Sequence, residues 1–391
     1  AYLTGGGVGS NGHYGTSNVN KLDYSSGTIT RIPGKLPAVN ISNFEGAANK
    51  GSGSTNGAGT VGYYIGGMAR PGNIPTSFCY KHVYSTDTIS EIPGGRMYTA
   101  RMSVQGSGNN TYALTAGGYS FNPSSGGAHY SSIDRMTYSS ETSSRQPGLN
   151  MSDERKRGTG FGPRTYAAGT TYDGAKIRWK DSAPQTINWG VFIGGNPNGG
   201  SSFDRLDFTS ETMELAATVP SGDMYRYGNM GSSLTKGYLM MGQGPYWPWS
   251  NGYSYIWKYT YATDTVGSPT PNSDIRGYKG TTLDSQTSTN VFSLAGNEQG
   301  NGRCCRVVHS TDATSLIPSL SAGNASPSGP ASQSPLYDSA GVSNITANVG
   351  YAAGGQNPSP ATEDVHKFEF ATDTRSYCNP AVLPDRMRNH A

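Results

Sequence analysis

Seven times along this chain an aromatic residue or His is followed by a Ser/Thr/Ala-containing pair, an acidic residue and a Thr, with a proline a few residues later. The copies begin Tyr24-Ser25-Ser26-Gly27-Thr28 with Pro33, Tyr84-Ser85-Thr86-Asp87-Thr88 with Pro93, and Tyr138-Ser139-Ser140-Glu141-Thr142 with Pro147. They continue with Phe208-Thr209-Ser210-Glu211-Thr212 and Pro220, then Tyr261-Ala262-Thr263-Asp264-Thr265 and Pro269 or Pro271. The last two are His309-Ser310-Thr311-Asp312-Ala313 with Pro318 and Phe370-Ala371-Thr372-Asp373-Thr374 with Pro380. Gly27 replaces the acid in the first copy and Ala313 the Thr in the sixth, small changes because Gly suits a turn and Thr314 follows at once. A mean period of about 58 residues confines the chain to an architecture of repeated supersecondary units, a ring or a rod.

Upstream of each cassette lies a short apolar run ending in a glycine pair or its remnant. Gly66-Gly67, Gly117-Gly118, Gly194-Gly195 and Gly354-Gly355 are intact, whereas the fifth and sixth runs end in Gly242-Gln243-Gly244 and Ala295-Gly296. A glycine pair closing a strand marks a place where a side chain would block neighbouring backbone. The cassette reads as strand, tight turn, strand, its Ser/Thr and acid (Asp87, Glu141, Glu211, Asp264, Asp312, Asp373) being turn residues. Each repeat then supplies about four short strands, one blade of an all-β propeller. Approximate repeats are 1–50, 51–104, 105–160, 187–230, 231–285, 286–340 and 341–391, one domain with an insertion at 161–186.

This pattern resembles the kelch family of β-propellers: a hydrophobic strand ending in Gly-Gly, a strand ending in Tyr, a turn, another strand, then an Arg. Arg96, Arg101, Arg155, Arg157, Arg226, Arg276, Arg386 and Arg388 fall where the family's Arg lies, and the resemblance covers nearly the whole chain. The family's Trp after the Tyr is missing from every copy, Ser90 standing at that place in the second, which argues against the eukaryotic scaffold type. The Tyr-Ser-x-Asp-Thr turn, rich Gly/Ser/Thr and low charge resemble kelch-like structural and tail-fibre proteins of marine phages, particularly those of cyanobacteria. The resemblance implies a seven-bladed propeller. Residue 1 starts in what would be a second strand, and residues 386–390 fall where an innermost strand begins. The expectation is closure by C-terminal residues pairing beside residues 2–5, which removes the exposed edge. The chain begins at Ala1 without Met, so it reads as processed, truncated or part of a longer protein.

Charged residues are 14% against a usual share of about 25%, with Gly 55 and Tyr 26 in their place, which suits blades packed through aromatic faces. The net charge of +3 carries no electrostatic footprint for nucleic acid, and the run Arg155-Lys156-Arg157 reads as a solvated loop. No apolar run approaches the roughly 18 residues of a membrane span. Cys79 and Cys304 occupy equivalent places in different repeats, and Cys304-Cys305 are neighbours that rarely pair, so these and Cys378 read as free structural thiols.

No catalytic residues, metal or cofactor are expected. Copper oxidases on related folds gather Tyr, His and Cys at the hub, but His13, His82, His129, His309, His366 and His390 do not recur at matching positions. The turn acids recur once per repeat and cannot converge as an acid/base pair must. Glycine-rich stretches at 5–9 and 158–162 lack the strand-to-helix context of a phosphate cradle. Two stretches suggest recognition: Tyr246, Trp247, Trp249, Asn251, Tyr253 and Tyr255 in one loop, and Trp179 in the insertion. Flat amphipathic rings give contact area at small entropic cost, although the same rings would also fill a gap between blades.

The expected function is a non-enzymatic structural or host-recognition component of a virus particle: phage capsid decoration, tail or fibre, exposed on the virion surface. Its partners would be other virion proteins or a host surface glycan or protein, with homo-oligomers allowed and neither nucleic acid nor membrane insertion involved. The alternative is a secreted or cell-surface carbohydrate- or protein-binding propeller of cellular origin. An oxidase or glycan hydrolase is a third reading that lacks its site residues.

Overall fold

The computed structural model describes residues 2–4, 7–8, 14–15, 18–23, 28–35, 51–55, 60–69, 74–102, 104–108, 111–122, 126–154, 159–161, 189–193, 202–218, 229–232, 236–243, 252–260, 262–263, 265–267, 270–271, 281–284, 290–294, 304–317, 340–344, 348–353 and 365–378. These residues form an all-β, propeller-like fold whose one helical element is a single 3-10 turn at Pro93–Gly95. Strand formation follows from Val, Ile, Tyr, Phe and Thr between turn residues, with burial alternating at a period of two on half-wet strands. Thr88–Glu91 alternates exposed with partly buried residues, whereas Tyr112–Ala116 is buried throughout.

Seven antiparallel sheets of three or more strands are described, and each contains one cassette. The first has three described strands, Tyr2–Thr4, Asn18–Leu22 and Ile29–Lys35. The second runs Gly51–Thr55, Val61–Gly66, Cys79–Val83, Thr88–Glu91, and the third Gln105–Gly108, Tyr112–Ala116, Ser132–Thr137, Thr142–Asn150. The fourth is Thr159–Phe161, Trp189–Ile193, Ser202–Asp207 and Thr212–Thr218. Asn229–Ser232, Lys236–Gln243, Gly252–Thr260 and Thr265–Val266 build the fifth, with Thr270–Pro271 beside Gly252–Thr260. The sixth is Thr281–Asp284, Asn290–Leu294, Cys304–Val308 and Ala313–Leu316, and the seventh Ala340–Asn344, Val349–Ala353, Val365–Glu369 and Thr374–Tyr377. In each four-stranded sheet the chain meanders from one edge to the other, so strands are numbered by order within the sheet.

Neighbouring sheets stack face to face. First strands lie beside first strands, as Gly51–Thr55 beside Gln105–Gly108 and Asn229–Ser232 beside Thr281–Asp284, while fourth strands Thr142–Asn150 and Thr212–Thr218 also adjoin. The core is accordingly a series of apolar layers, each filled from two successive sheets. Tyr63, Ile65 and Cys79 meet Val104, Ala113 and Met136 between the second and third. Leu114, Ala116 and Ile133 meet Phe192 and Leu206 between the third and fourth. Phe292 and Cys304 meet Ala352 and Phe368 between the sixth and seventh. Burying each such side chain contributes roughly 1.5–3 kcal/mol, which makes these layers the main cohesive force.

The glycine pairs have a backbone reason as well as a steric one. Gly66, Gly67, Gly117 and Gly118 all have positive φ, 74°, 109°, 63° and 94°. A Cβ at Gly118 would stand 2.9 Å from the Met102 carbonyl oxygen, so a side chain there meets backbone that cannot yield. Gly194, Gly195, Gly354 and Gly355 lie outside the described residues, as do residues 386–390 and the insertion from residue 162 onward.

Candidate functional site

The cassette turns are built alike. The Ser or Thr two residues after the aromatic bonds the Thr four after it: Thr86 to Thr88 at 2.8 Å, Ser140 to Thr142 at 2.7 Å, Ser210 to Thr212 at 2.7 Å, Thr263 to Thr265 at 2.7 Å and Thr372 to Thr374 at 2.8 Å. Between these hydroxyls the acid adopts the left-handed conformation, with φ of 51° at Asp87, 52° at Glu141, Glu211 and Asp373, and 56° at Asp312. This conformation sets the acid apart from its own turn, and its carboxylate reaches the preceding sheet.

There it meets a cation on the strand that leads into that sheet's own cassette. Lys21 pairs with Asp87 at 3.0 Å, Lys81 with Glu141, Arg135 with Glu211, Lys258 with Asp312 at 2.7 Å and Arg306 with Asp373 at 3.0 Å. Asp312 also accepts from Lys236 at 2.8 Å and from the Tyr238 hydroxyl at 2.6 Å, and Tyr63 donates to Glu141 at 3.3 Å. Burial raises the Asp312 pKa, but the bonds from Lys236, Lys258 and Tyr238 outweigh it and hold the carboxyl at about 2. Burial, then the Glu141 charge, pushes the Tyr63 phenol well up, so it donates as a neutral hydroxyl.

The cassette's aromatic docks the same way. Tyr138 stacks on Tyr63 at 5.3 Å, His309 on Tyr238 at 5.2 Å and Phe370 on Phe292 at 4.6 Å, while Phe208 meets Tyr112 edge-on at 5.7 Å. Such pairs contribute about 0.5–1.5 kcal/mol beyond their buried area. The cassettes of the third, fourth, sixth and seventh sheets are therefore plugs, ring and carboxylate together, seated in the sheet before. The five described acids Asp87, Glu141, Glu211, Asp312 and Asp373 are spread over different joints, with a cation at each. Asp264 lies outside the described residues, and its counterpart Arg205 pairs with Glu214 of its own sheet.

The cations follow a rule that a reading of the acids alone misses. A Lys or Arg stands three residues before the cassette aromatic in all seven copies: Lys21, Lys81, Arg135, Arg205, Lys258, Arg306 and Lys367. This signal was present in the sequence, but its meaning depends on strand register, which puts that position on the face toward the next sheet.

The opposite end of each sheet, where second and third strands connect, is built differently. Ribbons extend this connection at Gly7–Val8 with Tyr14–Gly15, Met68–Ala69 with Ile74–Pro75, and Tyr119–Asn122 with Gly126–His129. Tyr119 and His129 rings lie 5.5 Å apart, Ser120 bonds the Tyr130 hydroxyl at 3.0 Å, and Ile74 is 60% exposed. In the fifth sheet the two strands themselves lengthen, past a register shift between Met240 and Gly242, to the pairs Gly242↔Tyr253 and Gln243↔Gly252. Tyr253 and Tyr255, expected in a loop, lie on the returning strand of this pair, Tyr255 opposite Pro271. Tyr246, Trp247, Trp249, Asn251 and Trp179 lie outside the described residues.

Other ionisable groups are held inside. Arg101 and Asp134 are a buried pair, with Arg101 also donating to the Gly117 carbonyl at 2.7 Å and the Ser132 carbonyl at 2.9 Å, and Arg145 reaching Asp134 at 2.8 Å. Burial lowers the Arg101 pKa and Asp134 opposes it. Burial pushes the Cys79 and Cys305 thiols up to about 12, and all four cysteines are free. Cys304 faces the seventh sheet and Cys305 the fifth, because consecutive strand residues point to opposite faces. Burial depresses His82 to about 4 and His366 to about 2, leaving both imidazoles neutral near pH 7. Among the described residues no group of three or more His, Cys, Asp or Glu is gathered as a metal site requires.

No protein-family model and no curated protein matches this chain. Among solved structures it is similar to that of YjhT, a β-propeller-type protein, with a TM-score of 0.56 and 9% identity over 88% of this chain and 98% of that one. At that identity the likeness bears on the fold, and it agrees with the stacked small sheets: an all-β, propeller-like protein.

Proposed function

We propose that the chain is a seven-bladed kelch-like propeller, closed through its termini, that serves without catalysis as a structural or host-recognition component of a virus particle. The supporting observation is the contrast between the two ends of the sheets. At one end the connections are consumed in joining neighbour to neighbour, ring on ring and carboxylate on cation. At the other, two-stranded ribbons and a lengthened hairpin extend the connection between second and third strands. A low-charge body with joints at one end and extended connections at the other suits recognition of an external partner. Closure is supported by the position of Asp23 beside the first cassette: burial raises the Tyr351 phenol in the seventh sheet, Lys367 lowers it, and Cys378, Glu369 and lastly the Asp23 charge raise it.

The phage assignment rests on the resemblance of the repeat and on the low charge. Electron microscopy of intact particles labelled with antibody against this chain tests it, and a particle free of label removes the virion reading. For the projecting loop, Trp247→Ala with Trp249→Ala is expected to weaken partner or glycan binding while leaving the melting temperature unchanged. Loss of fold stability with binding per folded molecule intact would make those rings part of the core. The aromatic loop also fits a cell-surface glycan-binding propeller, since sugars stack on exposed rings; glycan-array binding without particle association would favour that second reading.

A further inference from the structure

Two residues before the cassette aromatic, six repeats carry an apolar or aromatic side chain: Leu22, Met136, Leu206, Tyr259, Val307 and Phe368. The second repeat carries His82 there, and all seven side chains are buried. His82 stands opposite Ile89 in register, and alternate strand residues share a face, so it lies on the same face as Tyr80. That face meets the first sheet, where Val19 and Ile32 pack with Tyr80, Tyr64 and Ile89. One joint therefore holds an imidazole inside it where the repeat otherwise places a group that cannot take up a proton near neutral pH.

The imidazole touches the joint's own lock. The Tyr64 hydroxyl bonds its Nδ1 at 3.1 Å, the Tyr84 ring meets it edge-on at 5.0 Å, and its Nε2 lies 3.8 Å from Asp87 Oδ1. The other oxygen of that carboxylate accepts from Lys21 of the first sheet at 3.0 Å. The further ionisable groups described on this face are Tyr80 and, on the outer strand opposite it, Glu91, which Arg96 bonds at 2.8 Å. An imidazolium at His82 would thus be a second cation beside Lys21, drawing on the one carboxylate that holds the two sheets together. Burial lowers the His82 pKa to about 4, with the Asp87 charge opposing and the Lys21 charge assisting.

We propose that the joint between the first and second sheets is an acid-released contact: protonation of His82 parts Val19 and Ile32 from Tyr64 and Tyr80 and competes with Lys21 for Asp87. The proton binds the parted joint, where the imidazole regains water, more readily than the closed one. The contact is therefore firm above pH 6.5 and weakens as the pH falls through about 4. From pH 7.5 to pH 5 the open population grows roughly 30-fold. His366, buried beside Arg375 at 3.2 Å, is held to about 2 and takes its proton well after His82. Opening is a local event of the kind that precedes global unfolding. It needs only the stacking of these two sheets, and it holds whether or not the ring closes and whatever the protein binds.

Thiol labelling of the full chain tests this. Val19→Cys places a thiol of similar size on the buried face of the joint, and native Cys79 lies in the next joint, between the second and third sheets. Reaction with a dithiodipyridine is followed at both positions, each as a ratio to the same thiol in the urea-unfolded chain at the same pH. The ratio at position 19 is expected to rise roughly 30-fold from pH 7.5 to pH 5, while that at Cys79 stays nearly constant. His82→Leu and His82→Gln, each added to Val19→Cys, are expected to abolish the rise. No rise at position 19, an equal rise at both thiols, or a rise that survives either His82 substitution overturns the proposal. Ile32→Cys reports the same face if Val19→Cys does not fold, and one His82 variant decides if the other does not fold. If neither folds, an imidazole NMR titration of the unmodified protein decides: a His82 midpoint well below the ordinary histidine value supports the device, and an ordinary one overturns it.

Discussion

The joint between the fifth and sixth sheets and the joint between the sixth and seventh perform one task with two chemistries. In the former, Asp312 is held by two ammonium groups and a phenol, from Lys236, Lys258 and Tyr238. In the latter, Asp373 is held by the Arg306 guanidinium, and the residue across the strand from Arg306 is Phe292. The seven repeats divide along this line without exception. Lys21, Lys81, Lys258 and Lys367 stand across from Tyr2, Tyr63, Tyr238 and Tyr351, whereas Arg135, Arg205 and Arg306 stand across from Leu114, Val191 and Phe292. Donor supply accounts for the division: an ammonium is a point charge that gains from a phenol beside it, whereas a guanidinium carries five donors on a rigid fork and leaves its neighbour free to be apolar. What the pairing teaches is that, at the described carboxylates Glu141, Asp312 and Asp373, one supply of donors is met with different residue types.

The comparison has an upper bound in the buried pair Arg101–Asp134. Both side chains are essentially inaccessible, so removing one strands the other in a low-dielectric interior. Asp134→Ala is expected to lower the unfolding free energy by about 3–5 kcal/mol, more than any single change at a joint. Urea denaturation measures it, and a loss no larger than at Asp373 would break the ranking by burial.

Acid titration separates the joints from the imidazoles. His82 and His366 have folded pKa values below the unfolded value of about 6.5, so protons bind the unfolded chain more readily. Their contribution is fully present above pH 6.5 and is lost as pH falls, through about 4 for His82. Asp312 has a folded pKa of about 2, so its contribution persists above the usual carboxylate range and disappears only as pH falls toward 2. Between pH 6.5 and 4 the His82→Gln variant should lose on the order of 2 kcal/mol less than the parent, while Asp312→Asn should leave that part of the slope unchanged. Unaltered slope in the His82 variant would remove the imidazole from the account.

Within the joints, Asp312→Asn is expected to cost about 1.5–2 kcal/mol, because two charged donors and a phenol lose their acceptor charge. Asp373→Asn, facing the Arg306 guanidinium, is expected to cost about 0.5–1 kcal/mol. Asn keeps the left-handed backbone accessible, so the difference reads the side chain. Costs in the reverse order would contradict the count of donors. The smallest effect is the sharpest: Arg306→Lys should cost roughly 0.5 kcal/mol, and adding Phe292→Tyr should recover it by rebuilding the Lys–Tyr pair. No recovery would show that the division along the seven repeats has another origin.

Much of the fold was legible because the cassette repeats: seven copies of one turn predict seven small sheets, and each described sheet of three or more strands contains one. The glycine pairs were legible as a steric requirement, while their positive φ came only from the backbone itself. The turn acids were read as turn residues because Ser, Thr and Asp in a row satisfy a hairpin locally. Their reach to Lys21, Lys81, Arg135, Lys258 and Arg306 depends on register and on the stacking of sheets distant in sequence. The ribbons at 7–15, 68–75 and 119–129 were illegible for another reason: two-residue strands rich in glycine carry no periodic signal. Of the proposed recognition residues, Tyr253 and Tyr255, read from sequence as loop residues, lie instead on the strand Gly252–Thr260, opposite Gly242 and Pro271, because the two strands of the fifth sheet lengthen past a register shift.

The central claim is a closed ring in which every repeat is plugged by the cassette of the next, and a crystal structure of the full chain tests it most directly. The account predicts seven four-stranded blades, with residues 386–390 pairing beside Tyr2–Thr4 and the strand Val365–Glu369 facing Asn18–Leu22. Six or eight blades, or chain ends on distant blades, would contradict it.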